Sequence, residues 1–294
     1  MNWNAAHGPA MIAAVQAHAD FLGEPGGYVD PIRALDAAGV LVQGMELGGR
    51  QSKTFGIYFG PEDSGPAVLL NTRFDETAVR HTAAHELGHH VFGHGTQADD
   101  HIDSLEELGR RSWPMHEMAA EAFAAWFLMH PDCVATAMAG LGIAKVASPE
   151  QVYQLSLWLG TSFRGTVRHL ANLRRLSQRQ AQAWIAASPA RLRRTLDADS
   201  VSPRHWQLGL AASGHRLHVR PGDLLTVDLA GEDVEHTVLP DGIQALPADG
   251  TLTPTLRLQV NRLLQEPSTL TASDDWHVAL VPCPERRGHL NPTL

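Results

Sequence analysis

The stretch RHTAAHELGHHVFGH, residues 80–94, contains His85-Glu86-Leu87-Gly88-His89, an H-E-x-x-H motif. On a helix, positions four apart share a face, so the imidazoles of His85 and His89 can bind one metal ion, with zinc the expected one. Glu86 stands about 100° further round the helix. There it can take a proton from a zinc-bound water, whose pKa falls to about 7. Ala84, Leu87 and Val91 make the opposite, apolar stripe, which can face a core while the histidines face a cleft. Asp75 suits an N-cap and Gly93 a stop, so the spacing predicts one helix running through the motif.

Two histidines need a third ligand. A third histidine ten residues after His85, with glycine three before it, would make a metzincin, but position 95 is Gly and position 92 is Phe. His94 is read as pointing away, as a continuing helix would turn it. Glu117, 28 residues beyond His89, lies in HEMAAEAFAAWFLM, a second strong helical stretch, and Glu121 shares its face at i+4. A ligating Glu with an acid one turn on, bonded to a metal-bound histidine, is the thermolysin-like arrangement. Ala120 and Ala124 are small enough for the two helices to pack closely, while Phe123 and Phe127 read as core. The bland alternative is a solvated Glu117–Glu121 face. His81, one turn before His85, and His116, beside Glu117, are candidates for orienting groups around the metal; His90 reads as a neighbour. Arg80, Arg110 and Arg111 lie nearby in sequence without a spacing that assigns them a role.

Around these helices the pattern predicts a helix over residues 8–22 with Ile12, Val15 and Phe21 toward the core, and a short helix from Pro31 closed by Gly39. Strands are expected at 40–42, 55–59 and 67–70. The 67–70 strand is the expected edge for an extended substrate. Zinc is thus expected on an α+β, zincin-like domain of helices on a small sheet, residues 1–148. A helical, helix-turn-helix-like segment follows at 149–196 and a β-rich domain at 200–294.

Composition narrows the class. Of 294 residues, 44% are hydrophobic and 19% charged, the balance of a globular chain. No apolar run approaches the roughly 20 residues of a membrane helix. The N-terminus lacks a basic, signal-like start, and two cysteines 150 residues apart fit a reducing cytoplasm. A net charge of −9 argues against a general nucleic-acid coat protein.

Charge is nevertheless uneven. Residues 151–195 hold eight arginines, among them Arg168, Arg174 and Arg175, and no acid, so this segment carries +8 and the remainder −17. A helix, a Gly160 turn and a helix capped by Thr161 or Ser162 give a helix-turn-helix pattern, with Val167, Leu170 and Leu173 at core spacing. Three readings stand: a packing module with a basic face, a dock for an acidic protein, or a DNA-binding element. Further on, the runs at 217–219, 225–229, 256–260 and 276–278 alternate like half-buried strands. His215, His218 and His236 read as scattered surface histidines rather than a second metal site.

RHTAAHELGHHVFGH followed by EMAAEAFAAWFLMHP resembles the ImmA/IrrE metallopeptidases. The similarity extends from about residue 8 to 195, through the Asp30-Pro31 helix, GVLV, LLNTR and LSLWLGTSFRGTVRHLANL. It implies zinc on His85, His89 and Glu117, with Glu86 as general base. It also implies a cytoplasmic regulatory protease that cleaves helix-turn-helix repressors and so induces stress-response or mobile-element genes. Glu121 departs from the family's usual Asn, and His130-Pro131 from its Met-Pro. The rival expectation is a non-enzymatic transcription regulator with a structural zinc and a DNA-binding helix-turn-helix.

Overall fold

The computed structural model describes residues 3–23, 26–48, 53–63, 65–99, 113–196, 202–230, 237–247 and 255–283. They are mixed α and β and cluster into two units, one ending at Cys133 and the other beginning at Val134. Both cysteines are buried free thiols.

In the first unit, α1 (Trp3–Phe21) packs on α4 (Met115–Leu128). Its buried face is Ala6, Ala10, Ala14 and Ala17, not the expected Ile12 and Val15, which are 68% and 48% exposed, while Phe21 is part-buried. Residues without bulk at this helical spacing let the two helices approach closely, and larger side chains would hold them apart. Helix α2 (Pro31–Ala37) starts at Asp30, whose carboxylate accepts from the Ile32 N–H at 3.0 Å, with Pro31 in the first turn.

The sheet comprises β1 (Leu41–Met45), β2 (Gly56–Phe59), β3 (Ala67–Asn71) and β4 (Gln97–Asp99), in the order β1-β3-β2-β4. β1 runs parallel to β3, and β2 is antiparallel to both β3 and β4. Residues 67–70 are therefore paired on both sides, which corrects their expected place at an edge. Among the described residues the outer strands are β1 and β4. Asn71 is buried at the end of β3, donating to Thr54 O at 2.8 Å and Leu47 O at 3.2 Å and accepting from the Arg73 N–H. It thereby ties the β1–β2 connection to the entry of the next helix.

That helix, α3 (Glu76–Val91), carries the motif, and Asp75 caps it by accepting from the Ala78 N–H at 3.0 Å. From Thr82 to His89 every residue is buried, because β2 and β3 cover one side and α2 and α4 others. Where α3 meets α4, Gly88 faces Ala120: a Cβ on Gly88 would lie 3.0 Å from Ala120 Cα and 3.1 Å from Phe123 Cδ1. This glycine–alanine contact sits between the two histidines on one helix and just past Glu117 on the other.

In α5 (Pro131–Gly140) the chain passes into the second unit. There α6 (Pro149–Leu159), α7 (Phe163–Asn172), α8 (Gln178–Trp184) and α9 (Pro189–Leu196) follow one another. Gly160 ends α6 in the left-handed region (φ +61°), and Ser162, rather than Thr161, caps α7 through the Gly165 N–H. Val167 and Leu170 are buried, while Leu173 falls just outside α7 and is part-buried.

The strands of this unit are β5 (His205–Leu208), β6 (Arg216–Val219), β7 (Leu224–Asp228), β8 (Ile243–Ala245), β9 (Thr255–Val260), β10 (Ser268–Ser273) and β11 (Trp276–Pro282). They form two sheets, β5-β7-β9-β8 and β10-β11-β6. Asp223, fully buried, accepts from Trp206 Nε1 at 2.9 Å and lies 3.4 Å from Arg204 Nε. Burial raises its pKa against the opposing pull of Arg204. Strands β5, β8 and β10 have no counterpart in the sequence reading.

Candidate metal centre

The α3–α4 crossing brings His85, His89 and Glu117 together, all three buried. His85 Nε2 lies 3.0 Å from His89 Nε2 and 3.2 Å from Glu117 Oε2, and His89 Nε2 lies 3.7 Å from that same oxygen. Donors about 2.0–2.1 Å from a tetrahedral ion stand about 3.3–3.4 Å apart. The triangle is thus the size of one face of such a coordination sphere, and the two nitrogens and one oxygen suit zinc. Among the described residues this is the one group of three or more histidine, cysteine or acidic side chains close enough to hold an ion. His215 and His218 join no such group, and His236 lies outside the described residues.

Each of the three candidate ligands is backed by a polar neighbour. Glu121 Oε2 lies 3.4 Å from His85 Nδ1 and 2.9 Å from His81 Nε2, so the acid bridges the two histidines. Burial would raise the Glu121 carboxyl, but the adjoining His81 and His85 overcome that and hold it well below the usual carboxylate range. Glu117 behaves alike: burial pushes up, while hydrogen bonds with His85 and His89 pull it down further. Its other oxygen, Oε1, lies 3.3 Å from His116 Nε2, and the His116 side chain is 39% exposed.

Two partners of this centre escaped the sequence reading. The alternation of β2 turns Gly56 and Tyr58 to the same side, both buried. Tyr58 stacks on His89 with ring centroids 6.3 Å apart, and its hydroxyl lies 3.1 Å from His90 Nδ1. Burial, then the charges of Glu62 and Glu86, raise the Tyr58 pKa. Glu86 is itself fully buried, and a Cβ on Gly56 would stand 2.6 Å from its Oε1. Glycine in this strand thus makes the space for the carboxylate.

The second is His94, whose expected orientation is corrected. The helix does not continue: Gly93 adopts φ +65°, its N–H donates to His90 O, and the His94 N–H donates to His89 O, each at 3.0 Å. The turn returns His94 to the helix end, with Nδ1 2.8 Å from His89 Nδ1. Burial and then the neighbouring His89 and His116 lower its pKa to about 4, so it is neutral at pH 7.

Arg80 points elsewhere, donating to Val29 O with its guanidinium 3.9 Å above the Tyr28 ring. Arg110 and Arg111 lie outside the described residues.

Residues 35–144 match the family model Peptidase_M78, described as the IrrE N-terminal-like domain. The chain carries an M78 peptidase domain. Its matched span includes α3, α4, His85, His89, Glu117 and Glu86. No curated protein matches the chain.

Proposed function

We propose that this protein is a zinc-dependent endopeptidase in which His85, His89 and Glu117 hold the metal and Glu86 is the general base. The observation that carries the reading is the ligand triangle, with a buried carboxylate next in sequence to its first member. When bound, zinc would polarise the scissile carbonyl and acidify a bound water. Glu86 accepts the proton of the attacking water and delivers it to the leaving amine. Glu121 and His116 orient His85 and Glu117. Structural zinc sites are closed by four protein ligands, whereas three converge here among the described residues, which favours catalysis over a structural ion.

An extended peptide can add beside β4, an outer strand of the sheet among the described residues and the neighbour of β2. The family resemblance supports a helix-turn-helix repressor as that substrate, regulation of stress-response or mobile-element genes as the outcome, and the cytoplasm as the location. No described helix is long and apolar enough to cross a membrane.

The test compares zinc content with cleavage of a purified helix-turn-helix repressor. Wild type holds one zinc per chain and Glu117→Ala loses it. Glu86→Gln keeps zinc and fold but cleaves about 10²–10⁴-fold more slowly. Wild-type cleavage by Glu86→Gln overturns the mechanism, and undiminished zinc in Glu117→Ala removes that ligand.

A further inference from the structure

We infer that His94 is the positioning residue for His89: its Nδ1 accepts the Nδ1 proton of His89 and keeps the Nε2 lone pair of His89 aimed at the metal. The inference rests on the metal reading of the site.

A neutral imidazole carries one N–H and one bare nitrogen. His89 Nε2 is the nitrogen in the ligand triangle, so it must be the bare one and Nδ1 must carry the proton. Between two nitrogens 2.8 Å apart there is room for one proton. His94 therefore presents a bare Nδ1 and carries its own proton on Nε2. For His85 the corresponding partner is the carboxylate of Glu121. The two histidine ligands thus have different backing, one anionic and one neutral.

The backbone dictates the pairing. With Phe92 as C-cap, Gly93 is the left-handed residue after it, and the two 3.0 Å bonds from Gly93 and His94 form a Schellman motif. In that motif the side chain just beyond the glycine meets the one three positions before the cap, usually as an apolar contact. Here those two positions are His94 and His89. Beyond His94 the chain is pinned again: Thr96 N–H donates to Glu62 Oε1 at 3.2 Å, Thr96 Oγ1 donates to Asp63, and Gly60 N–H donates to Thr96 Oγ1 at 3.0 Å. β4 then pairs with β2. Held on both sides, the His94 ring is a fixed acceptor.

The test pairs zinc affinity, measured by competition with a chromophoric chelator, with NMR of the histidine ring nitrogens in zinc-free protein. His94→Phe keeps a ring but no acceptor, and should bind zinc about 10–100-fold more weakly at an unchanged thermal midpoint. In His94→Asn the amide oxygen can accept the same proton, and most of the affinity should return. Zinc-free wild type should show His89 protonated on Nδ1, and His94→Phe should lose that preference. Wild-type affinity in His94→Phe overturns the inference. So does a bare Nδ1 on His89 in the wild type, a result that needs no variant to fold. Absence of zinc from the wild type, with the Nδ1 proton in place, overturns the metal reading and the positioning role together.

Discussion

Gly56 is the residue on which the place of the Glu86 carboxylate depends. A methyl group there would stand 2.6 Å from Glu86 Oε1, 2.5 Å from Thr82 Cγ2 and 3.2 Å from Leu69 O. The carbonyl belongs to the paired strand β3 and cannot yield, so the side chains of α3 must. Gly56→Ala should therefore keep its zinc, because the ligands face α4, yet cleave the repressor more than about tenfold more slowly as the base is displaced. Overpacking of this kind costs about 1–3 kcal/mol, which a urea titration resolves. Full activity in Gly56→Ala would show that Glu86 does not need the space this glycine leaves. The residue also marks a limit of sequence reading. H-E-x-x-H announces its own chemistry, whereas a glycine in a four-residue strand acquires meaning only once the strand lies against the motif helix.

Elements bring the ligands together, and α4 is gripped from two sides. Against α3 the contact is Gly88 on Ala120, where backbone meets the added atom at 3.0 Å. Gly88→Val should prise the helices apart, lowering both stability and zinc affinity, and chelator competition beside thermal melting checks both. Against α1 the contact includes buried His18, whose Nε2 donates to Phe127 O at 2.8 Å and whose ring lies 5.0 Å from His130. Burial lowers the His18 pKa; the Phe127 bond and the Asp132 charge oppose this, and His130 adds to it. A histidine with a depressed folded pKa contributes stability that is complete above its unfolded pKa of about 6.5 and is lost as pH falls toward the folded value. The stability of wild type should thus fall below about pH 6.5 more steeply than that of His18→Gln. Parallel pH profiles would remove His18 from the acid response. Much at this scale was legible: the Asp75 cap, the Gly93 stop, and the helix bearing Glu117 and Glu121. Three things were not. The bulk of Ile12 and Val15 masked the alanine face of α1, since packing distance is set by the partner helix. The polar triplet Gln-Ala-Asp of β4 has no strand signal of its own and is a strand because β2 offers it an edge. His94 was misplaced because helical periodicity was carried past the glycine that ends it.

Across the whole molecule, charge is divided along the chain, with +8 in residues 151–195 and −17 elsewhere. Packing explains the apolar half of this segment: Phe163, Val167 and Leu170 of α7, with Leu176, Ala181 and Leu192, are buried. It does not explain the arginines. Arg164, Arg174, Arg175, Arg179, Arg191 and Arg194 are exposed, and Arg168 and Arg193 are part-buried. Exposed charges repel one another unless an anionic partner is at hand, and at physiological salt their field reaches about 8–10 Å. If the partner is the substrate, encounter is steered electrostatically, and cleavage slows as salt rises. Arg174 and Arg175 are the pair to reverse, because both are exposed beyond the end of α7 and both belong to the second unit. Arg174 already occupies a left-handed conformation at φ +56°, which a glutamate meets on the same terms. Arg174→Glu with Arg175→Glu should cut the cleavage rate at low salt, leave zinc content unchanged, and flatten the salt dependence. If the segment serves nucleic acid instead, the double variant should abolish a salt-sensitive mobility shift with duplex DNA and spare cleavage of free repressor. Unchanged cleavage together with unchanged DNA binding would leave the arginines as the solvated side of a packing module. The salt dependence of the wild type then decides between steering from other charges and no steering at all.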